Sequence, residues 1–440
     1  MIKIDRKITD IIKRDRKVIM TTTRESYPFV PDHGDGDFIY DISGNKFIDF
    51  SSFISVYNFG VNANKEVREA IKKQVDKLMH PAFTDYYGEL PVKFAEKLVK
   101  MFPSGFGKVF FSNSGTEANE AAMKFARIFT KRTYILAFYN SFHGRTLGSL
   151  GMTASKVVQR EYFGPFANIV HAPFPYPYRC PFDHEQFECG MDYINFIENY
   201  IFRKEVSPEE IAAVFIEPVQ GEGGYIVPPK KFITELRKIT SEHGILLIDD
   251  EVQAGNFRTG KFLALDNFGV SADIYTMAKS VGAGIPIGLT VSRNSLGSIP
   301  AGAHANTFGG NLVAVSAANA LLDYVTRNKT RIERGVKAKG AYAMKRLNEM
   351  KDKYEIIGDV RGIGLMIGVE IVKDKKSKAP GIKEREKILN DSFYNGLVLL
   401  PAGESSIRII PPLTVADENL RKGLDIFENA VKKANSDKAV

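Results

Sequence analysis

Between residues 105 and 295 seven short apolar runs alternate with helical patterns, and that alternation leaves few architectures open to the chain. The runs are Lys108–Ser112, Tyr134–Phe138, Ile169–Ala172, Ala212–Glu217, Gly244–Asp249, Ile274–Met277 and Gly288–Ser292. Their Val, Ile, Leu and Phe residues are consecutive rather than alternating, so both faces of each strand need cover. The intervening 3.6-residue periodicity supplies the covering helices. A mostly parallel α/β sheet is therefore expected. The flanks read differently: a strand-turn-strand pattern at Asp37–Tyr40 and Lys46–Phe50, two long helices at Leu312–Thr326 and Ile332–Lys351, strands at Gly364–Val372 and Leu397–Leu400, and a last helix at Ala416–Ala434. Neither flank alternates enough to be doubly wound, so residues 1–64 and 326–440 are assigned to a small α+β domain beside a large domain at 65–325.

The composition, 44% hydrophobic and 25% charged over 440 residues, excludes disordered and collagen-like chains. The longest apolar runs fall short of a membrane span, and Ile211–Val219 is broken by Glu217 and Pro218. The N-terminus lacks the apolar core of a secretory signal, so a cytoplasmic protein without membrane partners is expected. Cys180 and Cys189 lie in a loop-like stretch and read as unpaired or packed thiols, with a disulfide as the alternative. With seven His and neither CxxC nor HExxH, no metal site is expected.

The formal charge of +8 raises the question of nucleic acid. Residues 1–30 hold eight Lys/Arg against four acids, and residues 373–387, expected as a loop, hold seven against three. The rest of the chain is neutral, which argues against a nucleic-acid-binding face.

Three places can carry chemistry. The strand ending at Ser112 runs into Asn113, Ser114, Gly115, Thr116 and Glu117 and then a helical run. Ser114 with Glu117 makes a capping box, and Gly115 lets a ligand approach the free amides and positive end of the helix, as a phosphate requires. The strand Ile245–Ile248 ends in Asp249, Asp250 and Glu251; with alternating side chains Asp250 can face a cleft while Asp249 and Glu251 meet solvent or salt bridges. Lys279 follows the run Ile274–Met277 and precedes a glycine-rich loop, where a partly desolvated amine can attack a carbonyl. Taken singly, these are also an ordinary helix start, structural acids and a surface lysine. Gly255 to Lys261 has phosphate-loop spacing, but Phe262 stands where a magnesium-binding hydroxyl belongs. Together a lysine, an acid and a phosphate cup at strand carboxyl ends are the set pyridoxal phosphate needs.

Seven segments carry a family resemblance: Ser-Gly-Thr-Glu-Ala-Asn-Glu at 114–120, Phe-His-Gly-Arg at 142–145, Ile-Glu-Pro-Val-Gln-Gly-Glu-Gly-Gly at 216–224, Asp-Glu-Val-Gln at 250–253, Arg-Thr-Gly-Lys at 258–261, Ala-Lys-Ser at 278–280 and Thr-Phe-Gly-Gly-Asn at 307–311. In order and spacing they resemble the class III (ω-amino acid) aminotransferases, fold-type I pyridoxal 5'-phosphate enzymes, over nearly the whole chain. The resemblance implies Lys279 as the Schiff-base lysine and proton shuttle, and Asp250 as the partner of the pyridine nitrogen. It places Val252 and Phe142 on the two ring faces, His143 among the cofactor contacts, and Gln253 near the phenolic oxygen. Ser114, Gly115 and Thr116 would form the phosphate cup, and Thr307 would reach the phosphate of a second subunit, implying a homodimer.

For the substrate, Arg145 matches the arginine that takes a distal carboxylate, Arg408 the one that takes the α-carboxylate of glutamate or 2-oxoglutarate, and Glu222 the acid that neutralises Arg408 when the donor has no α-carboxylate. The implied reaction is ping-pong transfer of an amino group from an ω-amino acid, 4-aminobutyrate first, to 2-oxoglutarate. The alternative is an amino-acid racemase or epimerase, since some archaeal relatives with these motifs interconvert enantiomers; no residue identifies itself as the second base. The chain departs from the family pattern at Phe53, beside the substrate-lining position Ile54, in Gly60–Asn64, and at Phe257 before Arg258, where glycine is usual. These changes bear on the substrate rather than the cofactor.

Overall fold

The seven apolar runs form one sheet. In this computed structural model, which describes residues 2–20, 27–62, 64–166, 168–182 and 189–436, the strands are β1 (Phe106–Ser112), β2 (Tyr134–Phe138), β3 (Ile169–Ala172), β4 (Ile211–Ile216), β5 (Leu246–Asp250), β6 (Ile274–Met277) and β7 (Gly288–Arg293). Each lies within two residues of its expected bounds. Their order across the sheet is β1-β7-β6-β5-β4-β2-β3, and only β7 runs antiparallel to its neighbours. Every residue of β4 and β6 is buried, as strands covered on both faces require. The helix α1 (Gly115–Thr130) lays Ala121, Ala122, Phe125 and Ala126 against Ile135, Ala213, Phe215, Ile248 and Ile274; its alanines let the backbone approach the sheet closely. With the parallel strands sharing one direction, the loops after β1, β2, β4, β5 and β6 gather at one edge.

The chain divides into two compact units, Lys65–Glu333 and Met1–Asn64 with Arg334–Val440. The division falls inside α2 (Leu312–Lys353), one helix of 42 residues where two were expected. Residues 327–331, Arg-Asn-Lys-Thr-Arg, contain neither Gly nor Pro, so nothing stops the helix there.

The second unit has two four-stranded sheets. In one, Ile357–Ile363, Met366–Ile371, Ser406–Ile409 and Leu400–Ala402 lie side by side, and Ile367, Val369, Ile371, Ile407 and Ile409 enter the core. The opposite face carries Gly368, Glu370, Ser406 and Arg408. There Arg361 binds Glu370 and Ser406, each at 2.8 Å. The basic stretch 373–387 is not wholly a loop: from Ile382 it enters the helix Ile382–Tyr394, whose mostly polar sequence leaves little apolar period to read. The N-terminal basic segment likewise contains a helix, Arg6–Val18, capped by Asp5, while Arg24 and Glu25 lie outside the described residues. The Cys189 side chain is also outside them; Cys180 Sγ lies 3.8 Å from the Tyr193 hydroxyl. Among the described residues no helix is long and apolar enough to cross a membrane.

Candidate active site

The turn from β1 into α1 is where the anion cup is expected. Ser114 is the N-cap, accepting from Glu117 N at 3.2 Å. Glu117 does not reach back to Ser114 N, as a reciprocal capping box would, but takes Asn113 N at 2.5 Å. The amides of Gly115 and Thr116, in the first turn, have no acceptor within the helix and stand at its positive end. A Cβ on Gly115 would come within 2.8 Å of Val252 Cγ1, so glycine is what lets these two loops meet. Thr116 Oγ1 bonds the hydroxyls of Thr146 (2.8 Å) and Ser149 (2.5 Å), and Glu120 accepts from Thr146 Oγ1 (2.6 Å) and Ser149 N (2.9 Å) behind them. Gly144 packs against Thr116 and Ser149 so closely that any side chain would collide with both hydroxyls.

Asp250 ends β5 with both oxygens occupied. Oδ2 receives Asn119 Nδ2 at 2.7 Å and His143 Nδ1 at 2.8 Å, and Oδ1 receives Val252 N at 3.0 Å. Thr276, opposite Asp250 on β6, donates to Asn119 Oδ1 at 2.7 Å, which turns the amide's NH2 toward the acid. The other two acids correct an expectation: Asp249 and Glu251 meet neither solvent nor a salt bridge but are buried together. Burial, followed by the charge of Glu251, holds the Asp249 carboxyl well above its usual range, and burial pushes Glu251 up to about 8. Burial thus favours the protonated form of both carboxyls, which spares the site two buried charges.

The loop after β2 carries Phe142, His143 and Arg145. Glu217, at the end of β4, anchors it by accepting Phe142 N (2.8 Å) and Gly221 N (2.9 Å); burial pushes this carboxyl up to about 7. Arg145 is exposed, its guanidinium carbon 5.5 Å from the Phe142 ring centroid. Gly221 packs directly on the Gln253 side chain, whose Oε1 takes the Tyr225 hydroxyl at 2.7 Å. Glu222 pairs with Lys156 at 2.7 Å. Lys279 follows β6 with φ +46°, a left-handed backbone that a lysine adopts only at a cost of about 1 kcal/mol or more. Thr307 lies exposed on a loop that Asn306 fastens to the Phe111 carbonyl at 2.8 Å.

Of the expected site residues, Ser114, Gly115, Thr116, Phe142, His143, Arg145, Glu222, Asp250, Val252, Gln253 and Lys279 thus lie at or just beyond the carboxyl ends of adjacent strands in one unit. Ile54 and Arg408 belong to the other. Arg408, on Ser406–Ile409, donates Nε and Nη2 to the Pro401 carbonyl at 3.0 and 2.6 Å. Asn119, Glu217 and Lys156 were not singled out from sequence, although the first two lie inside the quoted motifs. Among the described residues no cluster of His, Cys, Asp and Glu is placed to hold a metal ion.

The class-III aminotransferase family model matches residues 19–431. The chain belongs to the class III aminotransferases. Among curated members, a leucine/methionine racemase of Thermococcus litoralis is 40% identical over 96% of this chain and 95% of its own. A probable 4-aminobutyrate aminotransferase of Bacillus subtilis is 37% identical over 91% and 92%. Among solved structures, a taurine:2-oxoglutarate aminotransferase of Bifidobacterium kashiwanohense, in complex with PLP and glutamate, superposes with a TM-score of 0.90 at 27% identity, covering 99% of both chains. This class III aminotransferase thus has the fold-type I architecture and is a pyridoxal-phosphate enzyme. The site fits that cofactor: a glycine-lined helix start suits a phosphate, a clamped carboxylate suits a ring nitrogen, and a lysine stands on the neighbouring strand's end.

Proposed function

We propose that the enzyme moves an amino group from an ω-amino acid, 4-aminobutyrate being the leading donor, to 2-oxoglutarate. When bound, pyridoxal phosphate supplies an electrophilic aldehyde and an electron sink. Lys279 would hold the cofactor through Nζ and, once an incoming substrate amine displaces that nitrogen, its freed amine would be the base that takes the proton from the substrate carbon bearing nitrogen. The Asp250 carboxylate, immobilised by Asn119, His143 and Val252 N, would hold a proton on the pyridine nitrogen. Gly115 and Thr116 would bind phosphate with their amides, Val252 and Phe142 would cover the ring faces, and Gln253 would approach the phenolic oxygen. Thr307 would complete the phosphate site of a second copy in a homodimer.

One observation carries the choice of substrate: exposed Arg145 lies over the Phe142 ring, two residues from the His143 that holds Asp250. A cation so placed suits a carboxylate remote from the reacting nitrogen. Arg408 would take the α-carboxylate of the acceptor. Purified enzyme with 4-aminobutyrate is expected to form glutamate only when 2-oxoglutarate is supplied, and Lys279→Ala is expected to abolish turnover; a Lys279→Ala variant with normal activity refutes the assignment.

The 40% identity to a leucine/methionine racemase supports a second reading, racemisation of a neutral amino acid. Incubation with single-enantiomer leucine or alanine separates the two. Inversion without any oxo acid would replace the transfer reading.

A further inference from the structure

The amide of Gln253 is gripped from two sides by one loop. Residues 220–226 close on themselves, Gln220 N donating to Ile226 O at 3.0 Å and Ile226 N to Gln220 O at 3.1 Å. Inside this closure Tyr225 takes φ +58°, a left-handed backbone strained for a residue with a bulky side chain, and its ring is fully buried. A buried phenol needs a partner for its hydroxyl, and this one donates to Gln253 Oε1 at 2.7 Å. The second side is Gly221, where a Cβ would collide with Gln253 Nε2 and Cδ, so the amide lies against the loop's backbone. Both grips act within the site already described. Gln253 follows Val252, which meets Gly115 and whose amide binds Asp250, while Glu217 ties Gly221 N to Phe142 N.

We propose that Tyr225 is a positioning residue that sets which end of the Gln253 amide faces the cofactor. The inference rests on the reading of Gln253 as the neighbour of the phenolic oxygen. The oxygen and the NH2 of a glutamine amide are nearly equal in size, so packing alone does not choose between them. The choice falls to hydrogen bonding. By donating to Oε1, the Tyr225 hydroxyl engages the amide's acceptor and leaves the NH2, which only donates, for the phenolic oxygen. That oxygen gains most from a donor when it carries negative charge, so the oriented amide favours the deprotonated form of the bound cofactor. Without the hydroxyl the amide is free to turn over, and an acceptor facing an anion repels it.

The test follows the absorbance of the pyridoxal-phosphate-loaded enzyme against pH, together with the affinity of the apoprotein for the cofactor. Tyr225→Phe, which removes one hydroxyl and keeps the ring, is expected to raise the spectral pKa by about one unit, a tenfold change in the proton equilibrium, and to weaken cofactor binding several-fold. A purely structural tyrosine would lower Tm and leave this pKa alone. Gln253→Leu should raise it similarly, because an aliphatic side chain donates nothing, and Tyr225→Phe added to Gln253→Leu should raise it no further. An unchanged spectral pKa in Tyr225→Phe while Gln253→Leu shifts it overturns the role of Tyr225. So do shifts that add in the double variant, since the tyrosine would then act without the glutamine. If Gln253→Leu itself leaves the spectral pKa where it was, the placement of Gln253 at the phenolic oxygen falls, an outcome distinct from the other two.

Discussion

His143 Nδ1 stands 2.8 Å from Asp250 Oδ2, with both side chains sealed from solvent. Asn119 shares that oxygen and Val252 N takes the other, so the acid is held in one rotamer by three elements of the fold. Donors of this kind fix the orientation of a carboxylate.

Removing one donor should therefore be felt at the cofactor. Asn119→Ala and His143→Ala are each expected to weaken pyridoxal phosphate about tenfold, the worth of one hydrogen bond to a charged group. Absorbance titration of the apo-protein measures it. His143→Ala with native affinity would make the histidine a packing residue only.

The carboxyls of Asp249, Glu251 and Glu217 give stability a definite pH dependence. All three are raised by burial, Glu217 to about 7 and Glu251 to about 8. For a raised acid the protonated form is favoured by folding, so its contribution is complete below the unfolded value near 4 and is lost as pH rises through the folded one. Tm is expected to fall between pH 5 and pH 9. Asp249→Asn, which cannot ionise, should flatten that fall; a slope as steep as that of wild type would show that other groups govern it.

What could be read from sequence, and what could not, follows the range of the interactions involved. The strands of the large sheet are legible because a strand buried on both faces has to be continuously apolar, as Ile211–Ile216 is. Asp250 and Lys279 are legible because they close such strands. The pairing of Asp249 with Glu251 was not, since alternation places both on one face but says nothing of what packs there. The Lys156–Glu222 contact joins residues 66 apart, and no local pattern announces it. The motif singles out Arg408, but its strand, Ser406–Ile409, is not legible: four residues broken by an arginine carry too little period.

Ile54 offers the sharpest test of stored strain. Ser52, Phe53, Ile54 and Ser55 have φ of 42°, 48°, 61° and 60°, a left-handed turn made without a single glycine. Asp49 holds its start, Oδ1 accepting Ser51 N (2.7 Å), Ser51 Oγ (2.7 Å) and Ser52 N (3.0 Å), while Ser52 Oγ reaches Ile410 O at 2.7 Å. Each non-glycine residue in that region costs about 1–2 kcal/mol, and a β-branched one is an outlier. Ile54 is 40% exposed and loses little packing on truncation, so Ile54→Gly should gain about 1 kcal/mol, seen as a higher Tm. Phe53 differs, packing on the cluster around Phe47 and Phe393 and meeting Tyr57 edge-on at 5.5 Å, so Phe53→Gly should lower Tm. A lower Tm for both variants would mean that the turn stores no strain at Ile54.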